Sequence, residues 1–146
     1  MTTIAWDGKT LAGDRLAVWA GLEMRCRKVY RVVAPNRRVA LVGYTGSVAF
    51  VNAHLHWLYS GERPTFSGPD LKWSVLMLAE GGGMWIRHDN VDYWDQITGR
   101  RTFAVGSGAD FALAAMELGK DAVAAVRVAA KLDHGTGGGV DVVRFR

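Results

Sequence analysis

The chain has 146 residues, 49% of them apolar, and carries 18 Lys and Arg against 14 Asp and Glu for a net charge of +4. That length and apolar content let a single domain, residues 1–146, bury a core without help from disulfides or metals. Cys26 is the only cysteine, which excludes a disulfide framework and fits a reducing compartment; no apolar run reaches membrane-spanning length and no signal-peptide layout opens the chain, so a soluble cytoplasmic protein without membrane contact is expected.

Residues 2–6 and 9–15 read as two strands joined at Asp7-Gly8, a dipeptide that favours a tight hairpin turn. Such a hairpin brings Thr2 near Asp14. Residues 29–33 and 39–44 are β-rich runs split by Pro35-Asn36, and the second is apolar enough for a central strand. After Gly46, Ser47 is placed to cap a helix running to about Tyr59, with Val48, Val51, Leu55 and Leu58 on one face. His54 and His56 on that helix point in different directions, and His88 and His134 have no ligand-like spacing, so no metal site is expected.

Residues 60–69 are rich in turn formers and read as a loop. Lys72 to Leu78, Met84 to Arg87 and about Gln96 to Val105 follow as strands. Gly81-Gly82-Gly83 is a turn between the first two, because the grammar of a phosphate-cradling loop is missing around it. Asp110 to Leu118 presents Phe111, Ala114, Ala115 and Leu118 at helical spacing, Gly119 stops that helix, and Asp121 caps another to about Leu132. Residues 140–145 close the chain as a strand. This order gives an α+β protein of two packed antiparallel sheets with helices outside.

Three basic clusters, Arg25-Cys26-Arg27-Lys28, Arg37-Arg38 and Arg100-Arg101, stand among six tryptophans. They are scattered and no nucleic-acid motif accompanies them, so they read as solvated turns and no nucleic-acid partner is expected. Cys26 has basic neighbours but no adjacent histidine, and reads as filler rather than as a reactive thiol.

The most specific chemistry lies at the start, in Met1-Thr2-Thr3-Ile4-Ala5-Trp6. Removal of one methionine leaves Thr2 with a hydroxyl and a free α-amine. A threonine hydroxyl does not ionise near neutral pH, whereas an α-amine with a pKa of about 8 can take its proton and return it to a leaving group.

Met1-Thr2-Thr3-Ile4, Gly13-Asp14, Arg27-Lys28-Val29, the run Gly106-Ser107-Gly108-Ala109-Asp110 and Asp133-His134-Gly135-Thr136-Gly137-Gly138 together resemble the β-subunits of proteasomes, with HslV-type peptidases sharing the plain Met-Thr-Thr start. The blocks are dispersed over nearly the whole chain in the family's order. The resemblance implies the four-layer α-β-β-α sandwich of N-terminal-nucleophile hydrolases. Residues 60–69 leave room only for a loop where the family usually continues with a second long helix, so that helix layer is expected to be reduced to one long helix.

The resemblance also implies roles. Thr2 is the nucleophile and Thr3 merely strand. Lys28 sits beside Thr2 and lowers the pKa of its hydroxyl and amine, while Asp14 holds that lysine charged and oriented. Ser107 hydrogen-bonds the terminal amine, Asp133 and Thr136 complete the network with threonine in the place of the usual serine, and the Gly46 N–H faces the developing oxyanion. Read as structure alone, the same residues are strand-favouring threonines, a salt bridge and helix or turn caps. The activity implied is a threonine peptidase working without cofactor on unfolded protein or peptide inside a homo-oligomeric ring, with an AAA+ ATPase partner implied only by the family. The alternative is a proteasome-fold protein without proteolysis that serves as an assembly or binding component.

Overall fold

A computed structural model describes residues 1–62, 72–89 and 93–146. In chain order it contains β1 (Thr3–Trp6), β2 (Leu11–Asp14), β3 (Leu16–Trp19), β4 (Leu22–Arg25), β5 (Val29–Val33), β6 (Val39–Gly46), α1 (Val48–Ser60), β7 (Trp73–Ala79), β8 (Met84–His88), β9 (Asp95–Gln96), β10 (Phe103–Gly106), α2 (Ala109–Glu117), α3 (Ala122–Leu132) and β11 (Val140–Val143). The strands form a sheet ordered β10-β1-β2-β11, a sheet ordered β5-β6-β7-β8-β9, and the separate ribbon β3-β4, all antiparallel.

Alternation along β1 divides the packing. Ile4 and Trp6 face one way, into an apolar cluster with Leu11, Val29, Leu41 and Leu76 that joins the two sheets. Ala5 faces the other way and, with Ala12 and Ala104, meets Ala112, Ala115, Ala122, Ala125 and Ala129 of α2 and α3. Small side chains on both sides let these helices lie close on the sheet. The outer face of the second sheet, through Val32, Val42, Tyr44 and Val75, receives Phe50 and Val51 of α1. Each fully buried Leu, Ile or Val stabilises the fold by about 1.5–3 kcal/mol.

The first hairpin is longer than a two-residue turn. Trp6 pairs with Leu11, and Asp7 organises the intervening loop by accepting from the N–H groups of Lys9 at 2.9 Å and Thr10 at 2.7 Å. The same carboxylate accepts from the N–H of Ala122 at 2.9 Å, which pins the hairpin loop to the start of α3.

Several expectations change. The ribbon β3-β4 was not anticipated, and its two-residue turn Ala20-Gly21 has positive φ at both positions, 49° and 80°, as hairpins of this kind require. The expected strand from Gln96 to Val105 is two strands in different sheets: β9 pairs with β8, whereas β10 pairs with β1. The buried face of α1 runs through Phe50, Val51 and His54, and Val48 is exposed. Ser47 stands at the N-cap without a side-chain capping bond, whereas Asp121 does cap α3 by accepting from Ala124 N–H at 2.8 Å. In α2 the buried positions are Ala112, Ala115 and Met116, with Phe111 and Leu118 turned to solvent. The loop at 60–69, and with it the reduction of the helix layer, lies mostly outside the described residues. Among those described, no helix is long and apolar enough to cross a membrane.

Candidate active site

The antiparallel register that pairs Ile4 with Gly13 sets Thr3 opposite Asp14. The fully buried Asp14 carboxylate accepts from Thr3 N–H at 2.9 Å and Lys28 Nζ at 2.9 Å through Oδ1, and from the N–H groups of Leu16 and Gly137, each at 3.1 Å, through Oδ2. One carboxylate thus ties together the N-terminal strand, the entry to β3, the start of β5 and the loop before β11. Lys28 is itself only 6% exposed and donates to the Leu16 carbonyl as well. The expectation that the Arg25 to Lys28 cluster is solvated fails at Lys28, because burial of its ammonium is compensated by Asp14. No hydrogen bond joins Lys28 to Thr2 among the described residues.

A second network converges from the other side of β1. Thr2 N–H donates to Ser107 Oγ at 3.2 Å, and Ser107 donates to Asp133 Oδ2 at 2.6 Å. Thr136 donates to the same oxygen at 2.6 Å. The Thr3 and Thr136 hydroxyl oxygens are 2.6 Å apart. Because Thr136 spends its proton on Asp133, Thr3 is the donor in that pair. The Ser107 and Thr136 hydroxyls hold the Asp133 carboxyl below the usual carboxylate range. Gly106, immediately before Ser107, has φ 102°, and a Cβ there would lie 2.0 Å from the Thr2 carbonyl oxygen. Glycine is what lets the two strands approach closely enough for this bond.

Thr2 is 2% exposed, and its hydroxyl donates to the carbonyl of Met1. Thr2, Lys28 and Gly46 line one cavity of about 720 Å³, whose wall is mostly apolar, with Leu16, Tyr44 and Val51, and includes Arg27, Ser47 and Asn52. Gly46 ends β6 with φ 96°, and a Cβ there would meet the Lys72 carbonyl oxygen at 2.0 Å. Cys26 lines the same cavity, and burial pushes its thiol up, opposing activation, although Lys28 pulls it in the other direction. Among the described residues no group of three or more His, Cys, Asp or Glu is placed to hold a metal ion.

Of the seven residues singled out in the sequence, Thr2, Asp14, Lys28, Ser107, Asp133 and Thr136 are joined by two networks that meet at the start of β1, and Gly46 is brought to Thr2 and Lys28 only as part of the same cavity lining. Thr3 was read as strand only. It bonds both networks, through its N–H to Asp14 and its hydroxyl to Thr136. The available signal was its place opposite Asp14 in the first hairpin.

No family model and no curated protein sequence matches the chain. Solved structures do. HslV from Trypanosoma brucei superposes with a TM-score of 0.65 at 20% identity over 97% of each chain. Anbu from Pseudomonas aeruginosa, solved as a helical assembly, gives a TM-score of 0.71 at 12% identity over 100% of this chain and 81% of that one. Anbu from Yersinia bercovieri, described as an ancestral β-subunit, gives 0.68 at 12% identity over 99% and 81%. At these identities the likeness is one of fold, and the chain has the α+β, proteasome-like fold of HslV and Anbu.

Proposed function

We propose that the chain is a threonine peptidase of the proteasome/HslV type, a single domain over residues 1–146 arranged as the α-β-β-α sandwich of N-terminal-nucleophile hydrolases. The observation that carries this reading is the relay from Thr2 N through Ser107 to Asp133 together with the buried Asp14–Lys28 pair, Thr2 and Lys28 lining one cavity. The serine relay meets the N–H of Thr2 and the lysine-paired carboxylate meets the N–H of Thr3, so the two networks converge on adjacent residues at the head of β1.

Removal of Met1 converts the Thr2 nitrogen from an amide into an amine with a lone pair. The amine takes the Thr2 hydroxyl proton, the alkoxide attacks the peptide carbonyl, and the Gly46 N–H is the donor assigned to the oxyanion. The amine then protonates the leaving nitrogen, giving an ester on Thr2 that water hydrolyses by the same proton path in reverse. Lys28 favours the deprotonated hydroxyl electrostatically, Asp14 keeps Lys28 in position, and Ser107, fixed by Asp133, orients the amine. Substrates in this reading are unfolded chains or peptides, met inside a cytoplasmic homo-oligomeric ring that an AAA+ ATPase feeds.

The second reading is an assembly or binding protein of the same fold. While Met1 stays attached, the Thr2 nitrogen is an amide and its hydroxyl is bonded to the Met1 carbonyl, so no base is present. Turnover of fluorogenic peptides by methionine-processed protein separates the two. The peptidase reading requires activity in the wild type, partial activity in Thr2→Ser and none in Thr2→Ala, while equal inactivity of wild type and Thr2→Ala leaves the assembly reading.

A further inference from the structure

The β1–β2 hairpin has two ends, and the site described above uses only one. At the other, the gap between the two sheets opens to solvent as a groove of about 590 Å³. Its floor is the end of the inter-sheet core, Trp6, Leu78 and Met84 with the partly buried Ile97 and Phe145. Its rim is cationic: Lys9 from the hairpin loop, Arg100 and Arg101 from the crossing between the sheets, and Arg144 and Arg146 after β11, against a single carboxylate, Glu80. All five cations are exposed. Among the described residues only Arg146 has a carboxylate within reach, Glu80 at 3.7 Å, while Arg144 donates to the Thr10 hydroxyl at 2.9 Å. The side chain of Arg101 lies across Gly8, where a Cβ would come 3.0 Å from its Cγ and Nε, so this cation is held over the groove by the bare backbone beneath it.

We propose that this groove docks an acidic peptide segment of a partner protein, with an apolar side chain seated on the floor and carboxylates paired to the rim. Cations drawn from three segments of chain fit several carboxylates along a peptide better than one small anion, and arginine forks pair with carboxylates bidentately. The apolar floor requires an apolar group from the same ligand. Nucleic acid fits less well, since sequence-tolerant binding of single strands relies on exposed aromatic faces. Here Trp6 is only 9% exposed and its ring is engaged edge-to-face with Phe145 at 6.3 Å. The proposal does not depend on the peptidase reading, because no residue of the groove belongs to the Thr2 networks.

Fluorescence anisotropy tests it with a short labelled peptide carrying two glutamates on each side of a leucine-tryptophan pair. Saturable, salt-sensitive binding is expected, weakened about tenfold when glutamines replace the glutamates, when serines replace the leucine-tryptophan pair, or when the protein carries Arg100→Glu with Arg101→Glu. The double reversal Arg37→Glu with Arg38→Glu, in the exposed β5–β6 turn, changes net charge equally and is expected to leave affinity unchanged. No binding to the wild type, equal affinity for the glutamine peptide, or equal weakening by the Arg37 and Arg38 pair would overturn the proposal. So would displacement of the peptide by an oligothymidylate that binds more tightly. Circular dichroism melts confirm that the variants, all at exposed positions, remain folded.

Discussion

Asp14 accepts four hydrogen bonds and is the hub of the network that holds Lys28. Asp14→Ala takes the acceptor from the buried Thr3 N–H and from Gly137 N–H and leaves the Lys28 ammonium with only the Leu16 carbonyl, while Leu16 N–H keeps its bond to the Gly137 carbonyl; it is expected to lower the free energy of unfolding by about 3–5 kcal/mol in urea titration. Lys28→Met leaves Asp14 with its three backbone donors and is expected to cost clearly less stability while removing the proposed catalytic cation. A pair that was only a surface salt bridge would give small and similar losses in both variants. Asp133 makes a prediction in pH. Its folded-state pKa is depressed, so the unfolded chain binds its proton first as pH falls; the stabilisation is complete above the ordinary carboxylate value of about 3.9 and is lost as pH drops through the folded value. Asp133→Asn should therefore narrow its stability gap to the wild type as unfolding is measured at successively lower pH in the acid range. A gap that stays constant with pH would contradict the assignment.

At the scale of elements, α1 carries a titratable group that the site does not use. Burial holds the His54 imidazole down to about 4, with the Arg87 charge acting in the same direction. The Tyr44 hydroxyl lies 2.7 Å from Nδ1, and Nε2 is buried with no partner among the described residues. The folded state resists the proton that an unfolded histidine takes near pH 6.5, so stability should fall as pH is lowered from about 6.5 to about 4, by on the order of 3 kcal/mol over the window. His54→Phe should lack that slope in urea titrations across the range, and a slope of the same size in the variant would sink the attribution. Gly106 tests the close approach of β10 to β1: Gly106→Ala should lower the melting temperature more than Gly61→Ala, a position of similar φ with open space around it. Similar shifts in the two variants would contradict a packing role for Gly106.

The elements also mark where the sequence could be read. Asp7-Gly8, Gly81-Gly82-Gly83 and Asp121 are local signals with local consequences, and each lies at the turn or cap that it suggested. The ribbon β3-β4 escaped because its strands have four residues each and a non-glycine residue, Ala20, at the first turn position, although Leu22-Glu23-Met24-Arg25 alternates apolar and polar side chains. The break between β9 and β10 escaped because it is a change of sheet, decided by long-range pairing with β8 on one side and β1 on the other. On α1 the expected Val51, Leu55 and Leu58 do pack on the second sheet, with Phe50 in the place of Val48; on α2 the expected Ala115 is buried, but the alanine-rich surface of the first sheet takes Ala112 and Met116 instead of Phe111 and Leu118. Within the candidate site, Thr2 and its nearness to Asp14 could be read from the N-terminus and the first hairpin, whereas Lys28, Ser107, Asp133 and Thr136 were gathered only by the order of the family-like blocks, since they lie far apart along the chain. Thr3 was not, because its two bonds depend on tertiary register.

For the molecule as a whole, two sheets joined by one apolar core leave an opening at each end. One end gathers a threonine, a lysine and a glycine around a mostly apolar cavity; the other is ringed by cations. The proteasome-like fold shared with HslV and Anbu does not by itself assign an activity. The decisive claim is that Thr2, once its amine is free, attacks an electrophilic carbonyl. Mass spectrometry of methionine-processed protein in its native oligomer, after incubation with a peptide epoxyketone and with any required ATPase supplied, tests this directly. The account predicts a single adduct mapping to Thr2, absent from Thr2→Ala and from protein that retains Met1. No adduct on the wild type, or an adduct on Cys26 in its place, would contradict it.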